Sequence, residues 1–390
     1  MPTDNPLSFG NRTSTIPPSG TLEVTRKVRA LRRQGIDIVS LAGGAPEPGP
    51  DCLATPFKFP VESNVLGDPA GEMDLRTAIA AKLERDQGLI YDPETEVVVT
   101  IGAKQGVYAS LLALIEPGDE VLVLDPCWVS YAPAVRLAGG VPRVVPFVHG
   151  GEYFLDGHAL AARVNRRTRA VILNTPHNPT GRVFSGDELA AAARVVSDHG
   201  LWVLTDESFD KFVFDGHQHL SIASLAGMRA RTIVLQSFSK AFALPGIRVG
   251  YLAAPSSVCQ AVARLNEHLI SCVSPLAQSI ALAALADEPS WTHRLRDSFL
   301  SKRNIALEGL SNIRGMSCTV PEGTFYVFPD ISAFGSTSSE FASRLLDQAR
   351  VAVTPGSAFG AGAENHIRIN LVGPVEALRE GLERLRRVLD

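Results

Sequence analysis

The stretch QSFSKAFALPGIRVGY, residues 236–251, sets one lysine, Lys240, behind two serines, Ser237 and Ser239. An arginine, Arg248, follows past a Pro-Gly turn. The run before it, RTIVLQS, is apolar and β-branched and reads as a strand; VGYLAA, which follows, reads as another. Hydroxyls and a guanidinium make charge-assisted hydrogen bonds to a phosphate. A lysine beside them is either a point charge for that phosphate or a nucleophile that forms a Schiff base. A strand-turn with a solvated lysine is the plainer reading.

The same texture recurs on both sides. EVVVTI, DEVLVLD, TRAVILN and LWVLTD are further strand-like runs, with helical patterns such as DELAAAARVVSDHG between them. Near-continuous apolar strands alternating with helices predict an α/β fold whose mostly parallel sheet is covered on both faces. After about residue 290 the texture changes. A long helix through WTHRLRDSFLSKRN leads to the shorter strands FYVFPD and HIRIN and a last helix, PVEALREGLERLRRVLD, the pattern of a smaller α+β unit. The first twenty residues read as an extended arm. A helix through TLEVTRKVRALRRQG follows, ended by Gly35, with Lys27, Arg29, Arg32 and Arg33 on its wet face.

Composition narrows the function. The 390 residues are 45% hydrophobic and 20% charged, a globular balance with ample core. A net charge of −4 gives no global basic field to attract nucleic acid. No run approaches the roughly 20 apolar residues of a membrane span. The N-terminus lacks the basic start and apolar core of a secretory signal. Five scattered cysteines without a CxxC fit reduced thiols in a cytoplasm and no zinc site. His217 and His219 in GHQHL have ligand-like spacing, which a surface hairpin also explains. No metal is expected.

Open α/β sheets bind ligands at strand ends. LWVLTD ends in Asp206, which either caps the next turn or pairs with a pyridinium nitrogen. TRAVILN runs into TPHNPTG, where Asn178 is turn chemistry or an amide donor to a ring oxygen. His177 beside it reads as a loop residue rather than a base. EVVVTI runs into GAKQG, and a strand, a glycine turn and a helix N-terminus form a phosphate-binding geometry at Ala103 and Lys104. Trp128, after DEVLVLD, packs or stacks on a flat ring. Arg368, inside HIRIN, is a charge in an apolar strand that calls for a carboxylate partner.

Taken together, NPTG at 178–181, Asp206, and SFSK followed by Arg248 resemble the class I/II aminotransferases, pyridoxal-phosphate enzymes of fold type I, along nearly the whole chain. The resemblance implies a large pyridoxal-phosphate-binding domain over 46–289 and a small C-terminal domain over 290–390. The arm and helix, 1–45, would belong with the latter. It implies that Lys240 is the Schiff-base lysine and proton shuttle, and that Asp206 holds the pyridine nitrogen protonated. Ser237, Ser239 and Arg248, with the backbone at Ala103 and Lys104, would hold the phosphate. Asn178 would face the ring hydroxyl and Trp128 would stack on the ring. Arg368 would grip the substrate α-carboxylate near Gly44. The implied reaction moves an amino group between an amino acid and a 2-oxo acid in a cytoplasmic homodimer. The implied alternative is a specialised biosynthetic reaction on the same fold: elimination, replacement, cyclisation or oxidation.

Three positions depart from the family pattern. Phe209 stands three residues after Asp206, where a tyrosine is usual, so one donor to the cofactor's ring oxygen is missing and the imine pKa should rise. Leu66 stands where the family often has a tyrosine that reaches the partner subunit's phosphate. Ala45 stands where an acid is common.

Overall fold

The computed structural model describes residues 14, 16–43, 46, 65–149, 152–286 and 288–390. The first half runs α1 (Gly20–Arg33), β1 (Val39–Ser40), α2 (Met73–Gln87), β2 (Val97–Thr100), α3 (Gly102–Leu114), β3 (Glu120–Asp125), α4 (Tyr131–Leu137), β4 (Val141–Pro146), β5 (Val148–His149), β6 (Glu152–Tyr153), α5 (Gly157–Ala161) and β7 (Thr168–Asn174). The second runs α6 (Gly186–Asp198), β8 (Trp202–Asp206), β9 (Thr232–Ser237), β10 (Gly250–Ala253), α7 (Ser256–Leu269), α8 (Pro275–Ala286), α9 (Glu288–Ser311), β11 (Tyr326–Val327), α10 (Ser338–Arg344), β12 (Val351–Ala352), β13 (Thr354–Pro355), β14 (Ile367–Asn370) and α11 (Val375–Leu389).

A seven-stranded sheet has the order β2-β10-β9-β8-β7-β3-β4. Every neighbouring pair is parallel except those of β10, which runs against both β2 and β9. The six apolar runs from EVVVTI to VGYLAA supply every strand of this sheet except β4, and helices on both faces bury them. Strand β4, VPRVVP, was not anticipated. It lies at the sheet edge, leaves Val141 and Val144 exposed and carries two prolines, as an edge strand tolerates. Helix α6 starts with a capping box in which Ser185 and Glu188 satisfy each other's backbone amides.

The C-terminal part builds the antiparallel sheet β11-β14-β13, with α9 and α11 packed beside it. The N-terminal strand β1 pairs in parallel with β12, and Thr354 Oγ1 donates to Ala42 O, so the chain start is tied to this part. One apolar core unites it with Phe209, Phe212 and Phe214 from the loop after β8. Helix α9 begins at Glu288, slightly before the change of texture near 290.

Beneath the loop after β8 lies a buried polar brace. Lys82 Nζ, on α2, donates to Asp210 at 3.1 Å and to Gln236 Oε1 at 3.3 Å. It thereby joins the ends of β8 and β9. Glu207, fully buried, accepts from Ser221, Thr205 and Gln87 and meets His219 Nε2 at 3.0 Å. Burial pulls the His219 pKa down, but Glu207 more than offsets this and the net shift is upward. The surface-hairpin reading of GHQHL therefore fails for His219, whose ring is buried against an acid, and GHQHL is not a strand.

Candidate active site

Asn174 and Asp206 are register neighbours at the ends of β7 and β8. Ser237 ends β9 opposite Gly250, which starts β10. Because β10 runs backwards, its start falls at the same sheet edge and delivers Arg248 there. A cavity of about 360 Å³ opens at this edge. Ala103, Lys104, Trp128, Asn178, Asp206, Phe209, Ser237, Ser239, Lys240, Arg248 and Arg368 all line it. The expected Gly44 lies outside the described residues, as does Ala45; Gly43 lines the cavity beside them.

One end is built for an anion. Helix α3 opens at Gly102, whose φ of +68° suits glycine, and a Cβ there would lie 2.7 Å from Arg248 Nη2. Arg248 donates from Nη1 to Ser239 Oγ at 3.4 Å and to Pro245 O at 2.9 Å, and meets no carboxylate among the described residues. Ser239 N donates to Ser237 Oγ at 3.1 Å. Lys104 lies 5.1 Å over the Trp128 ring. Partial burial, then repulsion from Arg248 and Lys240, push its pKa down. Two hydroxyls, a helix N-terminus and clustered cations without an acid fit a phosphate dianion.

The floor is Asp206, 5% exposed. Tyr131 Oη donates to its Oδ2 at 2.8 Å, and Ser208 Oγ donates to Oδ1 at 2.6 Å. Ser208 N adds a bond to Oδ1 at 3.1 Å. Burial raises the Asp206 pKa, while Ser208, Tyr131 and Lys240 pull against it. Tyr131 is held well above the ordinary phenol pKa by burial and by Asp206, so its hydroxyl keeps its proton. A carboxylate with both oxygens fixed is suited to hold the N–H of a protonated heterocycle. Lys240 Nζ lies 5.7 Å from the Phe209 ring centre and 5.4 Å from that of Phe325, with no hydrogen-bond partner among the described residues. Phe209 packs edge-on against Phe325 and Tyr326.

The other end is Arg368, 4% exposed. Its guanidinium is sandwiched between Tyr326, at 4.1 Å, and Phe359, at 4.7 Å. Nη1 donates to Asn178 Oδ1 at 3.0 Å and Nη2 to Ala42 O at 3.4 Å, but Nε has no partner. Burial lowers its pKa. A buried guanidinium without a carboxylate is costly, and a ligand carboxylate supplies what is missing.

Reading the sequence alone missed Tyr131 and Ser208. Ser208 follows Asp206 by two residues in the turn after β8, a short-range signal that the sequence carried; Tyr131 opens α4 three residues after Trp128, and nothing local names Asp206 as its partner. The two aromatic rings meet at 5.2 Å. His177 is fully buried, bonded from Nδ1 to Thr180 Oγ1 and packed on Phe147. Burial drives its pKa to about 3, so it is a neutral loop anchor. Leu66 is 81% exposed and lines a different surface cavity, with Val65, along α2 and α8.

The family model described as aminotransferase class I and II matches residues 61–385. The aspartate aminotransferase of Geobacillus stearothermophilus is 34% identical over 98% of this chain and 99% of its own. The aromatic-amino-acid aminotransferase 2 of Thermococcus litoralis is 38% identical over 91% and 93%. Among solved structures, the aspartate aminotransferase from Thermus thermophilus with maleate superposes with a TM-score of 0.92 at 34% identity, covering 98% of this chain and all of that one.

Proposed function

The chain belongs to the class I and II aminotransferase family, and on that premise we infer that the cavity at the sheet edge is its catalytic site, with Lys240 as the covalent and proton-carrying residue. The protein is a pyridoxal-phosphate-dependent aminotransferase acting on an amino acid and a 2-oxo acid. The bound cofactor supplies an electron sink for the electrons left when the Cα proton departs.

The residues divide the work. Ser237, Ser239, Arg248 and the amides at the start of α3 hold the phosphate. Asp206, fixed by Tyr131 and Ser208, accepts the ring N–H and keeps it protonated. Asn178 faces the ring oxygen and Trp128 covers the ring. Arg368 binds the substrate α-carboxylate in a bidentate pair, which holds the Cα hydrogen towards Lys240. Lys240 Nζ, flanked by the Phe209 and Phe325 rings and without a hydrogen-bond partner among the described residues, takes that proton and returns one on the opposite half of the cycle.

The substrate class we infer is an acidic amino acid. Lys104 reaches the cavity beside Trp128 without an acid of its own among the described residues, and the threonines of α1, Thr21 and Thr25, line the same space. Aspartate aminotransferases stand among the relatives. We read residues 46–289 as the cofactor-binding domain, and 290–390 with the N-terminal segment as the smaller one. We infer a cytoplasmic enzyme and, from the exposed apolar pair Val65 and Leu66, a homodimer.

The observation that carries this reading is a lysine without a hydrogen-bond partner among the described residues, in one cavity with a buried aspartate held by three hydrogen bonds, between two cationic ends. Borohydride reduction of the holoenzyme and peptide mapping should place the cofactor label on Lys240; a label on another lysine overturns the assignment. Aspartate alone should then yield its 2-oxo acid in stoichiometric amount.

A further inference from the structure

The ring that backs Arg368 is held through the end of β3. Phe359, which stacks on the guanidinium, is buried. The segment that carries it is tied to the end of β3. Cys127 N donates to Phe359 O at 2.9 Å. Gly362 N donates to both carboxylate oxygens of Asp125, at 3.1 and 3.0 Å. The backbone lies so close that a Cβ at Gly360, whose φ is +131°, would be driven into that carboxylate. At Gly362 a Cβ would sit 3.3 Å from it. Asp125 therefore meets two glycines, and at Gly360 a Cβ would displace its carboxylate.

No lysine or arginine pairs with Asp125 among the described residues, and burial raises its pKa with only the Gly362 amide opposing. A half-buried carboxylate with one backbone donor is a poor device for stabilising a fold, since its desolvation offsets much of the bond. Its placement points elsewhere. Asp125 stands three residues before Trp128, on the strand end that carries the cofactor-covering ring. Its partner segment carries the ring that backs the substrate-binding arginine.

We propose that Asp125 is a positioning residue for the substrate: its carboxylate clamps the 359–362 segment to the end of β3, fixing Phe359, and through it Arg368, relative to Trp128. The proposal rests on Arg368 as the carboxylate grip. When the clamp is lost, Phe359 no longer confines the guanidinium and carboxylate binding weakens. The phosphate end, built from β9, β10 and α3, is untouched.

The test uses the holoenzyme, maleate as an unreactive dicarboxylate probe, and the variants Asp125→Ala, Asp125→Asn, Gly360→Ala, Asp125→Ala/Gly360→Ala and Arg368→Ala. Asp125→Ala should raise the amino-acid KM and the maleate Kd about tenfold, with kcat and the cofactor Kd changed less than about twofold. Asp125→Asn keeps one oxygen acceptor and should recover most of that loss. Gly360→Ala should weaken maleate too, and the double variant should lose less than the sum, because both changes act at one contact. Equal losses of cofactor and maleate affinity, or strict additivity, overturn the proposal as a general packing effect. If Arg368→Ala abolishes maleate binding and Asp125→Ala does not alter it, the clamp alone is refuted. If Arg368→Ala itself leaves maleate binding intact, the grip assignment and the clamp fall together.

Discussion

Replacing Tyr131 with phenylalanine removes one oxygen and little else. The ring keeps its edge-on contact with Trp128, at 5.2 Å, and Asp206 loses its 2.8 Å donor on Oδ2. A hydrogen bond to a charged acceptor is worth about 1.5–3 kcal/mol. Since one pKa unit is about 1.4 kcal/mol, the Asp206 pKa should rise by about one to two units. Burial has already raised it. An acid whose folded pKa lies above its unfolded value lowers stability progressively as pH rises from the unfolded to the folded value, and the deficit is constant above that. Tyr131→Phe moves the upper limit higher and deepens the deficit. The apoenzyme should thus lose about 1.5–3 kcal/mol once the pH exceeds the folded Asp206 pKa, and less below pH 4, where Asp206 is neutral in both states. In the holoenzyme, kcat should fall about 10- to 100-fold with the amino-acid KM nearly constant, because the misaligned group is Asp206 and not Arg368. Urea unfolding of the apoenzyme across pH and steady-state kinetics measure both. Ser208→Ala should cost less, since Ser208 N still serves Oδ1. A pH-independent stability loss, or a rise in KM with kcat unchanged, would refute the reasoning.

Phe209→Tyr offers a donor near the cofactor's ring oxygen, so the midpoint of the holoenzyme's pH-dependent absorbance should move down; an unchanged midpoint denies Phe209 a role there. Lys104→Ala should raise KM for aspartate about tenfold or more while leaving a neutral amino acid little affected, and equal losses for both would assign the ammonium to the cofactor instead. The raised pKa of His219 implies that its pairing with Glu207 stabilises the fold fully below pH 6.5, the ordinary histidine value, and that this gain is lost as pH rises through the higher folded value. His219→Gln should therefore be most destabilising at mildly acidic pH, and the gap to wild type should close in alkali; a gap that widens with pH overturns the pairing.

The strand ends were legible because chemistry and periodicity coincide there. Apolar runs of β-branched residues stop at Asp206, Ser237 and Asn174, and the polar residue that ends a buried strand has few places to go. The phosphate end was legible for a second reason: Ser237, Ser239, Lys240 and Arg248 lie within one short excursion of the chain. Contacts made across the fold were not legible. Tyr131 and Asp206 are 75 residues apart, and nothing in PCWVSY says which strand its tyrosine will face. Glu207 and His219 look like surface residues in sequence because a buried ion pair is written with the same letters as a solvated one. Phe209, singled out for the phenol it lacks, also packs into the core of the C-terminal part, a role visible only once Phe325 and Tyr326 arrive beside it. Strand β4 escaped notice because its alternation is half exposed and interrupted by proline.

The reversed direction of β10 bears on the order in which the site assembles. Gly250 returns to pair with Ser237, so the part of the anion-binding end that Ser237, Ser239 and Arg248 form closes through a short loop with little chain entropy to overcome, while α3 joins it from far along the chain. The substrate end needs Arg368 to find Asn178 across 190 residues. Loop closure over such a span is slower and comes late in folding. The expectation is a nascent chain that gains affinity for a phosphate-bearing ring before it can discriminate among amino acids. Pulse-labelled hydrogen exchange during refolding would show amides 237–250 protected ahead of 367–370. Cofactor present during synthesis would then act as a template on which the later half of the molecule docks.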